Sequence, residues 1–188
     1  MKLKGTTWLL IILAAILGSW VYFYEIRGEQ QQTISATNQQ QIFNFTEIEI
    51  NKIIIQKPTQ TLEFERTGNN EQPWQMKQPQ NVPASDASIA FLLDLIAKGK
   101  SDRSFTVAQS QLGQYGLNNP VAHIIIELKN QTKQEIFLGK PSLNEESIYA
   151  YIPTSESKTD VNVLLVSKNW QYAVDRELSE WQQNPVNN

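Results

Sequence analysis

Few side chains in this sequence could do chemistry, and they are scattered. His123 is the only histidine. An imidazole can act as a general base or bind a metal beside carboxylates, and Glu127 is the nearest acidic candidate. The alternation in Val121–Lys129 puts His123, Ile125 and Glu127 on one face of a strand. Ala122, Ile124, Ile126 and Leu128 take the other face, so His123 also fits a plain place on the wetter side of a sheet. With no cysteine and no second histidine, the usual zinc ligand sets are excluded. Glu145 and Glu146 beside Asn144 lack the alternating acidic run and the glycine of a calcium loop, and read as a solvated turn. Glu47 and Glu49 stand two apart on one expected strand face; paired carboxylates for sugar hydrolysis would also need a cleft. There is no Gly-x-Ser-x-Gly elbow, no glycine-rich phosphate loop and no Gly-x-Gly. The sequence therefore assigns no catalytic, cofactor-binding or metal-binding residue, implies no cofactor, and excludes a nucleotide partner.

Residues suited to contact rather than catalysis are easier to find. Trp74, Trp170 and Trp181 could form a docking surface, because large aromatics are favoured in interfaces; core packing is the simpler reading for the first two. Trp181 stands among Glu180, Gln182 and Gln183, which makes it the expected exposed partner contact. Arg103, next to Asp102, either recognises a partner or fixes a connection through an ion pair.

These residues need a scaffold, and the pattern supplies one. Ile48, Ile50 and Ile54 in the run ending at Lys57-Pro58, then Thr61–Arg66, then Pro73–Met76, read as three strands. Ser85 and Asp86 start a helix whose apolar face is Ile89, Leu92, Leu93 and Ile96, and Lys98-Gly99-Lys100 ends it. Asp102–Thr106 crosses to a second half. There Gln109–Tyr115 reads as a short helix, and strands are expected at Val121–Lys129, Lys133–Leu138, Ile148–Tyr151 and Val161–Val166. A last helix from near Ser167 carries Trp170, Val174, Leu178 and Trp181. The order suggests α+β with antiparallel sheet and covering helices, in two imperfectly repeated halves.

Ahead of this domain lies Trp8–Tyr24, an uncharged apolar stretch preceded by Lys2 and Lys4. It predicts a single transmembrane helix, with Trp8 near one interface and Trp20, Tyr22 and Tyr24 near the other. Basic residues on its short side predict a cytoplasmic amino terminus and a periplasmic or lumenal domain at a bacterial plasma or thylakoid membrane. The expected organisation is an anchor over 1–28, a glutamine-rich linker over 29–41, the folded domain over 42–181 and a disordered tail over 182–188. The net charge of −3 argues against nucleic acid, which requires basic patches to displace counterions. The expected partners are a lipid bilayer and a membrane protein.

Several segments carry a resemblance to a known family. They are Trp74 ahead of Pro79, Pro83-Ala84-Ser85-Asp86, Lys100-Ser101-Asp102-Arg103, Tyr115-Gly116-Leu117-Asn118-Asn119-Pro120, Leu138-Gly139-Lys140-Pro141 and Val163-Leu164-Leu165-Val166. In these the chain resembles the domain-of-unknown-function family DUF4340, most of all its short cyanobacterial members. The resemblance implies a membrane-anchored domain without assigned enzymatic activity. Some members resemble, or are encoded with, auxiliary components of gliding-type ABC transporters. Together these readings give a non-enzymatic scaffold or accessory subunit of a membrane complex as the expected function. The alternative is a domain that binds cell-wall glycan or a small solute, with a pocket lined by aromatics and a few polar groups. A hydrolase-like enzyme comes third.

Overall fold

In the computed structural model, residues 39–154 and 159–183 are described. Their strands are β1 (Gln40–Gln41), β2 (Ile50–Gln56), β3 (Thr61–Arg66), β4 (Trp74–Gln78), β5 (Val82–Pro83), β6 (Lys100–Ala108), β7 (Ala122–Leu128), β8 (Lys133–Pro141), β9 (Ser147–Tyr151) and β10 (Asp160–Ser167). The helices are α1 (Asp86–Lys98) and α2 (Asn169–Val174), with 3-10 turns at Glu47–Glu49, Gln109–Tyr115 and Leu178–Trp181. All ten strands form one antiparallel sheet in the order β1-β6-β10-β9-β8-β7-β2-β3-β4-β5.

The period of two in the strands dictates the layering. Ile53, Ile55, Leu62, Phe64, Trp74, Met76, Ile124, Ile126, Ile136 and Leu138 point to one face and are buried there. Helix α1 covers that face with Ile89, Leu92, Leu93 and Ile96, and α2 adds Trp170, Ala173 and Val174. Ser85 caps α1 by accepting the Ser88 N–H at 3.4 Å. Gly99 ends α1 for reasons of space rather than of backbone angle: its φ is −57. A Cβ there would run into the Leu95 carbonyl oxygen and lie 3.2 Å from the Trp170 ring.

The two halves are related as the segments of a duplication would be. β2-β3-β4-β5 and β7-β8-β9-β10 are both meanders, each followed by a helix on the same sheet face, and they join through their first strands. At that seam Ile54 lies opposite Ile125, within the matching triplets Ile53-Ile54-Ile55 and Ile124-Ile125-Ile126. After α1 the chain crosses to pair with β10, the last strand of the other meander. After α2 it crosses back to Ala84, beside the last strand of the first meander, through a bridge from Gln182. Each half thus closes the far edge of the other.

Several expectations are corrected. No helix among the described residues is long and apolar enough to cross a membrane. The transmembrane helix, with Trp8, Trp20, Tyr22 and Tyr24 as its interface residues, falls outside the described residues. The described fold is α+β without a spanning helix, and it gives no support to a bilayer partner, a membrane protein partner or a membrane localisation. Asp102–Thr106, expected as a connection, lies within the nine-residue strand β6. Gln40 and Gln41, expected in the linker, form an edge strand on it. The expected last helix is two pieces, because the chain must turn after Val174 for Trp181 to reach Phe64.

Candidate functional site

The second face of the sheet differs between the halves. Over β6, β10, β9 and β8, the segment Gln109–Leu117 lies on it and makes a small second core of Val107, Leu112, Leu117 and Val163. Phe105, Tyr115 and Tyr149 meet edge to face there, with ring centres 4.9 to 6.3 Å apart. Over β7, β2, β3 and β4, no segment of the second core covers the sheet. Among the described residues, what the chain does to one half with its own side chains is left undone on the other.

On this open half the register sets three rows. Lys133, Glu127, Lys52, Glu65 and Gln75 follow one another across β8, β7, β2, β3 and β4. Glu135, Ile125, Ile54 and Glu63 form the next row. Tyr151, Phe137, His123, Gln56 and Thr61 form the third. Lys52 pairs with Glu63 at 2.9 Å and Lys133 with Glu127 at 3.7 Å. His123 lies flat on Phe137, with 3.9 Å between ring centres and 9° between planes. Its ring nitrogens hydrogen-bond Gln56 Oε1 at 3.1 Å and Glu135 Oε2 at 2.9 Å. The seam relates Lys52–Glu63 to His123–Glu135: the two carboxylates flank Ile54 and Ile125 from opposite sides.

The hydrogen bond that the Lys52 ammonium donates to Glu63 holds it above its ordinary value of 10.5 against the opposing cost of burial, with the charges of Glu63, Glu65 and Glu127 adding to the shift. A cation raised in the folded state contributes stability that is complete below its unfolded pKa and is lost as pH rises through the folded one. The wild type is therefore expected to exceed Glu63→Gln by no more than about 1 kcal/mol at pH 8, in keeping with a partly exposed pair. The margin should shrink toward pH 11 in urea unfolding; a margin constant across that range would remove Lys52 as its source.

At the outer end of the open half the rows run into a cleft of about 420 Å³, lined by Glu65, Arg66, Thr67, Gln75, Lys77 and Asn81. Arg66 is structural here. Its Nε donates to the Ile50 carbonyl at 2.7 Å and its Nη2 to the Glu47 carbonyl at 3.0 Å, while the guanidinium lies over Trp74. The Gln75 amide donates to Asn81 Oδ1 at 3.2 Å, which leaves the oxygen of Gln75 and the nitrogen of Asn81 outside that bond. Glu63 pairs with Gln78 and Phe64 with Met76, so Lys77 is the extra residue of a β-bulge. Bulges re-aim a side chain out of the regular pleat.

The sequence candidates fare unevenly. His123 sits on the open face as the alternation requires, but its partner is Glu135 on the neighbouring strand, not Glu127. Four residues along a strand span about 13 Å, whereas cross-strand neighbours are about 5 Å apart. Glu47 and Glu49 lie in a 3-10 turn, not on a strand. There the Thr46 N–H and hydroxyl both donate to Glu49 at 2.7 Å and hold its carboxyl below the usual range. Glu145 pairs with Lys168 at 3.7 Å, and Glu146 accepts from Asn144. Among the described residues no group of three or more His, Asp or Glu is placed to hold a metal ion. Arg103 is exposed on β6 opposite Leu165, whereas Asp102 is the extra residue of a bulge and accepts from the Gln39 amide at 3.4 Å. Trp181, expected as an exposed contact, is fully buried, with its ring 4.9 Å from that of Phe64. The cleft itself was missed; adjacent polar residues on two strands are its only trace in the sequence.

The segments that carry the family resemblance meet in space. A Cβ on Gly116 would lie 2.8 Å from the Lys140 backbone nitrogen, and one on Gly139 would run into the Tyr115 carbonyl oxygen. Tyr115–Pro120 and Leu138–Pro141 are thus two sides of one close backbone contact. Likewise Ala84 N–H donates to the Trp74 carbonyl at 3.1 Å, joining the first two segments. No curated protein and no solved structure matches the chain. Residues 74–186 match the family described as Domain of unknown function (DUF4340), a match that includes neither a cyanobacterial grouping nor membrane anchoring. Covering more than half of the sequence and every segment of the resemblance, that match makes the chain a member of the DUF4340 family.

Proposed function

We propose that this domain is a non-catalytic module that binds a small polar solute or a glycan in the cleft of the first half. The observation that carries this reading is the cleft's lining: a carboxylate, an ammonium and two amides share one space of about 420 Å³, while the Thr67 hydroxyl and the Arg66 guanidinium beside them are committed to neighbouring backbone groups. A hydroxyl group both donates and accepts, so a hydroxyl-rich ligand can use such a mixed set. The lining departs from the expected aromatic one, which favours hydrogen bonding over ring stacking as the source of affinity. The contrast between halves adds support, since the chain's own Tyr115 and Leu117 cover the second core in the other meander. No helix among the described residues is long and apolar enough to cross a membrane, so they lend the membrane-scaffold reading no support. We also propose that the chain groups with the short cyanobacterial-type members of its family, on the Tyr115–Pro120 connection.

The test is an NMR titration of the full-length protein with glucose and N-acetylglucosamine oligomers. The backbone amides of Glu65, Gln75, Lys77 and Asn81 are expected to shift saturably. Gln75→Ala should weaken binding about 2- to 10-fold, the worth of one neutral hydrogen bond. Saturable shifts confined to another surface, or none with any polar solute, would overturn the assignment.

A further inference from the structure

Beside the Arg66 guanidinium, which is committed to the Ile50 and Glu47 carbonyls and to Trp74, the cleft holds a carboxylate and an ammonium that do not satisfy each other. Glu65 and Lys77 both line it, on neighbouring strands, yet among the described residues no ion pair within 4.0 Å joins them. The regular pleat would place residue 77 in register with β3; the bulge instead removes it from the ladder and frees its direction. Lys77 is exposed, so its ammonium remains available to a ligand. Glu65 stands at the end of the charged row, beyond Lys52, which is already taken up by Glu63. The Gln75–Asn81 amide pair lines the same cleft, with one oxygen and one nitrogen outside its own bond.

We propose that the cleft selects a zwitterionic solute, one carrying an ammonium and a carboxylate as an amino acid or a short peptide does. Glu65 takes the ammonium, Lys77 takes the carboxylate, and the two amides bind the polar groups between them. A neutral sugar can use the amides but gains nothing from either charge, so it binds more weakly. The inference rests on the proposed binding role of this cleft and names the class of its ligand.

The experiment is isothermal titration of the full-length protein with glycylglycine, ethanolamine, acetate and glucose, on the wild type, Glu65→Gln and Lys77→Gln. Glycylglycine is expected to bind tightest. Each variant should weaken it about 10- to 100-fold, the range for a hydrogen bond to a charged group. Ethanolamine should respond only to Glu65→Gln and acetate only to Lys77→Gln. The comparison of the four probes on the wild type needs no variant and is immune to any folding defect. Glucose binding as tightly as glycylglycine, unchanged in both variants, would overturn the zwitterion inference while leaving the binding role intact. If none of the four binds at millimolar concentration, both fall.

Discussion

Trp181→Ala is expected to cost about 3–5 kcal/mol of stability, the range for removing a buried aromatic side chain. The residue closes the domain in three ways at once. Its ring is fully buried against Phe64, on the sheet's covered face. Its carbonyl accepts the N–H of Ser85 at 2.9 Å, which fixes the start of α1. The next two residues bridge to Ala84 and donate to the Pro83 carbonyl at 3.0 Å, so the chain's return to the first meander depends on it. Denaturant unfolding of Trp181→Ala should show a lower midpoint. An exposed contact residue would give a change within about 0.5 kcal/mol, and that outcome would return Trp181 to the surface. Trp181→Phe is a sharper companion test. The indole Nε1 is buried without a hydrogen-bond partner among the described residues, so phenylalanine removes a donor they leave unsatisfied while keeping most of the packing. It should lose less than half of what alanine loses.

The reading of Trp181 shows where sequence stops being informative. Its neighbours Glu180, Gln182 and Gln183 are polar, and sequence reasoning assigns a residue the character of its surroundings. Burial is decided instead by Phe64, more than a hundred positions away, and by a turn after Val174 that interrupts the helical period. Strand β7 and helix α1 were legible because each states its period over two or more turns or pleats, and each faces one uniform core. Strand β6 was not, because it lies near the sheet's edge with Asp102, Arg103, Ser104 and Thr106 exposed, leaving only Phe105 and Val107 to mark a face. The candidate site was less legible still. Glu65 and Gln75 come together through register, Lys77 through a bulge, and Asn81 through a turn; none of these has a motif. His123 was placed on the right face but given the wrong acid, since cross-strand partners depend on pairing that spacing within one strand cannot reveal.

Two glycines provide a second large effect, and they separate two physical causes. Gly68 and Gly116 both have positive φ, at 77 and 73. For a residue with a Cβ this left-handed conformation costs about 1–2 kcal/mol. At Gly68 a Cβ would meet nothing within 4 Å, so Gly68→Ala should show that cost alone. At Gly116 the same Cβ would lie 2.8 Å from the backbone nitrogen of Lys140 and 3.2 Å from its Cβ. Backbone cannot swing aside as a side chain can, and Gly139 on the same strand already holds the Tyr115 carbonyl at close quarters. Overpacking of this kind adds about 1–3 kcal/mol, so Gly116→Ala should lose roughly 2–5 kcal/mol in all. The difference between the two alanine variants, measured by denaturant unfolding under one set of conditions, isolates the contact between Tyr115–Pro120 and Leu138–Pro141. Equal losses would mean that the connection tolerates a side chain and that Gly116 serves only its backbone angle. A larger loss at Gly116 would make this contact the reason that Gln109–Leu117 stays down on one half of the sheet while the other half, with its cleft, remains open.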